Sequence, residues 1–310
     1  MEKFVSLKEL EISIGKRARL HRMLYDKGNA NGTLLILPID QGLEHGPMDF
    51  FQNPASKNPE YELRLAEEGK YSAIVFHIGI AQKYFREYAG KVPLILKING
   101  KTAVPSDKQS FSPLDASVED AVRLGADAVG YTLYTGSPSQ DRDIAQLNEV
   151  RRDCEKFGMP LFVWSYPRGE AIEAKGGKDS LYAVDYAARA ANELGADIVK
   201  LNMPKKVKAE KLGEYKAFLS KSEDSKPYIG LEDATDLERM KMVVESAGKT
   251  LVLVSGGEKA DDRSIVEKAE TAMKAGCTGL IFGRNMWQRK HGDALRITAQ
   301  IKEMMKGYPR

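Results

Sequence analysis

An amine set inside an apolar strand is the most informative residue in this chain. The run Asp197-Ile198-Val199-Lys200-Leu201-Asn202 carries one lysine among strand formers. A buried ammonium is costly, so this side chain must be paired, reach water at the strand end, or lose its proton. A neutral amine attacks carbonyl carbon. The plain alternative is a lysine that snorkels to solvent. Lys97, in Leu94-Ile95-Leu96-Lys97-Ile98-Asn99, is the rival in an equivalent place; otherwise it is a second cation that depresses the nucleophile's pKa or helps hold substrate. Another run closes in Trp164-Ser165-Tyr166, and strand alternation sends Trp164 and Tyr166 to one face. A phenol can move protons once its pKa is tuned, and an indole is an apolar wall. Two aromatics packing a core would give the same pattern.

Three further strand ends carry polar chemistry. One ends in Asp40 and continues Gln41-Gly42-Leu43-Glu44-His45, with Asp49 close behind. An acid closing an apolar strand has no bland core role, although the loop can be read as a simple turn and a lone histidine is most often structural. The last two strands end in Ser255-Gly256-Gly257 and Gly283-Arg284-Asn285. Glycines there let backbone N–H groups approach an anion, a helix start beyond adds its positive end, and Arg284 adds a charge-assisted contact. Together the two turns read as a phosphate cradle. No metal is expected: His21, His45, His77 and His291 are scattered, without ligand spacing or a paired cysteine. A carbon–carbon cleavage beside a ketone needs an electron sink, a metal or an iminium, and the missing ligand cluster leaves the iminium.

The elements that must position these residues alternate apolar β-rich runs with amphipathic stretches, the pattern of a parallel sheet with helical crossovers. Eight strands are expected, at 34–40, 73–78, 93–99, 128–134, 160–166, 197–201, 250–255 and 278–283. Glycines in RLGADAVG, ELGADIVK and KAGCTGLIF end helices just before strands. This predicts an α/β fold: a single-domain (β/α)8 TIM barrel over 33–310, after an N-terminal helical extension (1–32). A long insertion follows the sixth strand, within about 204–249. There PYIGL (227–231) is either a ninth strand or part of the insertion, and a closed count of eight favours insertion. In such a barrel the loops after the strands converge on one mouth, where function sits.

Composition narrows the partners. With 42% hydrophobic and 29% charged residues in 310, the chain is that of an ordinary globular protein. A net charge of +3, from 47 basic and 44 acidic residues, forms no stripe that would track nucleic acid. Neither a signal peptide nor an apolar run long enough to span a membrane is expected. The two cysteines, Cys154 and Cys277, form no metal or disulfide framework, which suits a reducing, cytoplasmic setting. The basic stretch Lys16-Arg17-Ala18-Arg19 reads as a solvated helix face.

These residues together resemble a known family, the archaeal-type class I fructose-bisphosphate aldolases, also found in bacteria. The resemblance runs over nearly the whole chain and rests on LPIDQGLEHGPMDF (37–50), GYTLYTGS (130–137), FVWSYPRG (162–169), DIVKLN (197–202), LVSGG (253–257) and FGRNMWQR (282–289). It implies a homo-oligomeric barrel that reversibly cleaves fructose 1,6-bisphosphate to dihydroxyacetone phosphate and glyceraldehyde 3-phosphate, without metal or other cofactor. Lys200 then matches the imine-forming lysine, Tyr166 the general acid/base, and Asp40 and Trp164 residues around the reacting carbons. Ser255, Gly256, Gly257, Gly283 and Arg284 match the site of the ketose C1 phosphate, and His45 is a contact for the second phosphate. Related barrels that make or break other carbon–carbon bonds in phosphorylated keto compounds are the nearest alternative. A non-catalytic phosphosugar-binding barrel is the other.

Overall fold

The computed structural model describes residues 5–257 and 259–310. In chain order it runs α1 (Ile14–His21), a π-helical turn (Arg22–Asp26), β1 (Leu34–Pro38), α2 (Gln41–His45), α3 (Glu60–Glu68), β2 (Ala73–His77), α4 (Ile78–Tyr84), β3 (Leu94–Lys97), α5 (Val118–Arg123), β4 (Ala128–Leu133), α6 (Gln140–Phe157) and β5 (Leu161–Ser165). There follow α7 (Glu170–Glu173), α8 (Leu181–Glu193), β6 (Ile198–Leu201), α9 (Ala209–Leu219), α10 (Lys226–Gly230), α11 (Asp236–Ser246), β7 (Leu251–Ser255), α12 (Asp262–Lys274), β8 (Gly279–Ile281), α13 (Arg284–Trp287) and α14 (His291–Met305). All eight expected strands form, one or two residues shorter at their ends than the apolar runs suggest. They pair in sequence order, all parallel, and β8 closes on β1 through Leu34↔Gly279 and Ile36↔Ile281.

The strands are apolar on both faces because both are covered. Leu35, Leu37, Ile74, Phe76, Leu94 and Leu96 face outward and join the buried cluster under the helices. The alternate residues, among them Leu34, Ile36, Val75, Ile95, Phe162 and Leu253, fill the lumen. Leu20, Met23 and Leu24 from the N-terminal helical segment belong to this second cluster, so that segment plugs the lower end of the barrel. Lys16 is accordingly not solvated. It is 1% exposed and pairs with Asp197 at 2.9 Å and with Glu155, because the base of β6 offers a carboxylate that also accepts the Leu161 amide at 2.8 Å.

Gly125, Gly195 and Gly276 end their helices at φ +67°, +86° and +99°, a left-handed conformation that a side chain would strain. The long segment after β6 adds no strand. PYIGL falls in α10, where Pro227 sits in the first turn, a position at which its missing N–H costs nothing. Val207, Tyr215 and Leu219 make a small separate core with Tyr182, Phe218 and Tyr228, while α11 packs on α8 as a ring helix. No helix among the described residues is long and apolar enough to cross a membrane.

Candidate active site

Strand alternation brings Asp40, His77, Lys97, Asn99, Gly130, Thr132, Trp164, Tyr166, Lys200, Asn202, Ser255 and Gly283 to the lumen side at the C-terminal ends of the strands. A cavity of about 610 Å³ opens there. Lys200, 7% exposed, stands on its floor with Nζ hydrogen-bonded to the Tyr166 hydroxyl and 5.4 Å above the Trp164 ring. The register Trp164↔Lys200 makes the indole its strand neighbour. Burial drives the Lys200 amine below the ordinary lysine pKa; Asp40 and Glu44 pull it back, and the Arg284 and Arg168 guanidiniums add to the depression. Burial, joined by the charges of Glu44 and Asp40, pushes the Tyr166 phenol well above its usual range, so it stays protonated at neutral pH. The pair therefore sets an amine of lowered pKa against a protonated phenol.

Asp40 lies just past β1 and is 2% exposed. Burial works to raise its pKa, but Lys200, Lys97 and His77 outweigh it and hold the carboxyl below the usual carboxylate range. Its Oδ2 has no hydrogen-bond partner among the described residues. Lys97, the rival lysine, is fully buried. It pairs with Glu44 at 3.1 Å and donates to the Asn99 carbonyl at 2.7 Å, and it does not line the cavity. Bound in that way it is no free nucleophile. Trp164 also lies beneath the cavity rather than on its wall, fully buried, with its Nε1 unpartnered among the described residues. Gly130 makes the room: a Cβ there would stand 2.8 Å from the indole and 3.2 Å from Lys97.

The two glycine turns meet at one side of the mouth. Ser255 donates to Asn202 at 2.7 Å, and Asn202 to Asp179 at 3.0 Å. Gly257 turns at φ +72°. Gly283 must lack a side chain because a Cβ would meet the Pro38 carbonyl at 2.8 Å. Gly256 contributes shape rather than a donor, since its N–H bonds Ile281 at 3.2 Å; the Gly257 and Gly283 amides donate to no backbone carbonyl among the described residues. The expected helix ends add little. The α13 helix is one turn, and the start of α12 is closed by Asp261, which accepts the Ser264 amide at 2.9 Å. The positive charge on this side of the mouth comes from side chains instead. Arg284 donates to the Gly257 carbonyl at 3.4 Å and lies 3.9 Å from Asp49. His45 bonds the same Asp49 carboxylate at 2.8 Å, so both are in the mouth and share a partner.

Three cations lie outside the reading by strand ends. Arg168, in the turn after Tyr166, lines the cavity on the side away from β8. Its amide bonds Thr135 at 3.0 Å, and Gly169, at φ +99°, packs so tightly that a Cβ would stand 2.6 Å from the Gly136 carbonyl. Lys101 stands near it, bonded to Asp107 at 2.6 Å. An arginine in a strand-end turn was a usable signal. Lys268 had none, because it projects from within α12. Among the described residues no three His, Cys, Asp or Glu side chains converge as a metal site.

Comparison with known proteins agrees with this fold. The DeoC/LacD family aldolase model matches residues 34–289. A class 1 fructose-bisphosphate aldolase of Thermoproteus tenax is 40% identical over 277 residues, 89% of this chain and 90% of that one. The crystal structure of an archaeal fructose 1,6-bisphosphate aldolase superposes with a TM-score of 0.77 at 38% identity, covering 93% of this chain and 99% of that one. Another, with TM-score 0.75 and 38% identity over 92% and 98% of the two chains, is described as an archaeal fructose-1,6-bisphosphate aldolase with the catalytic lysine covalently bound to the carbinolamine intermediate of the substrate. A barrel with a buried lysine amine on its floor, matched by the family model over most of its length, belongs to the DeoC/LacD family of aldolases.

Proposed function

We propose that this chain cleaves fructose 1,6-bisphosphate reversibly to dihydroxyacetone phosphate and glyceraldehyde 3-phosphate through an imine on Lys200. It is a class I fructose-bisphosphate aldolase. The observation that carries the assignment of residues is the buried Lys200 amine, depressed in pKa and hydrogen-bonded to a phenol held protonated. Neutral Lys200 adds to C2 of the ketose, and loss of water gives the iminium. The C4 hydroxyl loses its proton, the C3–C4 electron pair flows into the iminium, and glyceraldehyde 3-phosphate leaves. Protonation of the resulting enamine and addition of water then release dihydroxyacetone phosphate and restore the amine. Tyr166 is the group placed to give and take these protons, and the unpartnered Asp40 oxygen holds a substrate hydroxyl. Trp164 backs the iminium from below.

Two cationic rims support a bisphosphate over a single phosphate. The Ser255–Gly257 and Gly283–Arg284 turns take the C1 phosphate. Arg168 and Lys101, across the mouth, together with His45, are the groups available for the second. Action within glycolysis or gluconeogenesis, a cytoplasmic setting and a homo-oligomer complete the proposal. Cys154 and Cys277, both buried and unpaired, suit a reducing compartment, and light scattering would give the assembly's mass. The deciding assay couples cleavage of fructose 1,6-bisphosphate to triose phosphate detection in chelator. Turnover is expected, with borohydride trapping of an imine by dihydroxyacetone phosphate. A Lys200→Met variant that still traps it would overturn the role of Lys200.

A further inference from the structure

Lys268 sits in the second turn of α12, outside every strand end, yet its ammonium reaches the back of the glycine cradle. Its Nζ donates to the Gly256 carbonyl at 3.0 Å, and a Cβ on Gly257 would stand 3.2 Å from it. It lines the same cavity as Lys200 and Arg284. The groups around it come from four elements: Asp179 from the turn before α8, Lys205 after β6, Asp236 at the start of α11, and Arg284, which grips the Gly257 carbonyl from the other side. Lys205 is already 3.6 Å from Asp179. Among the described residues no carboxylate comes within 4 Å of Lys268, so this half-buried cation has only a backbone carbonyl as its hydrogen-bond partner there.

Charge balance says what it is for. A phosphate monoester brings nearly two negative charges. Arg284 offers one positive charge and is partly engaged by Asp49, while the Gly256 amide is taken. We propose that Lys268 is a direct ligand of the phosphate held in this cradle and sets the site's preference for phosphorylated ketones over their neutral counterparts. The inference rests on the aldolase reading and adds a ligand from an element that reading did not use. Burial, together with the charge of Lys205, lowers the Lys268 pKa to about 8 against the pull of Asp179 and Asp236. The unliganded ammonium therefore begins to lose its proton just above neutrality, and a bound phosphate holds that proton on.

The test compares borohydride trapping of the imine by dihydroxyacetone phosphate and by dihydroxyacetone, read by mass spectrometry over a range of ligand concentrations. In Lys268→Met the preference for the phosphate ester falls about 10-fold or more, as expected for losing one charge-assisted contact. Lys268→Arg restores most of it. The concentration of phosphate ester needed rises above pH 8 in the parent and stays flat in Lys268→Arg. Equal losses on both ketones would reduce Lys268 to a prop for the turn, and an unchanged preference would remove it from the site; either result overturns the proposal. A parent enzyme with no preference for the phosphate ester would instead sink the cradle, and with it the reading of function.

Discussion

Glu62 offers a perturbation whose size can be worked out. It lies on α3, fully buried, and neither carboxyl oxygen has a hydrogen-bond partner among the described residues. Burial, only partly offset by its own backbone amide, pushes its pKa from the ordinary 4.5 up to about 9. A group raised on folding gives stability that is complete below pH 4.5 and is lost as pH climbs towards 9, because the unfolded chain releases the proton while the folded chain must keep it. Each pH unit in that window is worth about 1.4 kcal/mol, so at pH 7 the acid costs roughly 3 kcal/mol. Glu62→Met keeps the volume and removes the titration, and no hydrogen bond is lost with it. For a chain of this length the variant should melt about 5 °C higher at pH 7. Scanning calorimetry of parent and variant at pH 5, 7 and 8.5 should show the gap widening from about 1 °C to about 8 °C. A gap that stays constant with pH would refute the reasoning, since every other titrating group is common to both proteins.

Two further predictions concern the site. Tyr166→Phe should still trap an imine with dihydroxyacetone phosphate but cleave the bisphosphate about 10²- to 10⁴-fold more slowly; normal turnover would end its role in proton transfer. Gly169→Ala forces a side chain into a left-handed turn against the Gly136 carbonyl, which should cost about 1–3 kcal/mol. It should also displace Arg168, raising KM for the bisphosphate several-fold more than it weakens imine trapping by dihydroxyacetone phosphate. An equal effect on both would show that Arg168 does not serve the second phosphate.

Much of the architecture is local and so was written in the residues themselves. Strand periodicity placed Lys200 among eight runs and put Trp164 and Tyr166 on one face, because alternation is a property of any extended chain. Glycines at 125, 195 and 276 marked helix ends, because only glycine adopts that backbone at no cost. What only the tertiary structure decided is which charges meet. Lys97 and Lys200 are alike as sequence, each a lysine near the end of an apolar strand; contact with Glu44 and the Asn99 carbonyl binds one, and burial against Tyr166 frees the other. Lys16 reads as a surface residue until Asp197 and Glu155 close on it. PYIGL is apolar enough for a strand, yet no edge of a closed barrel remains to pair with it. Lys268 joins the cradle from a helix with no chemical signature. Periodicity belongs to neighbours along the chain, whereas pKa, pairing and charge balance belong to neighbours in space, and folding alone brings those together.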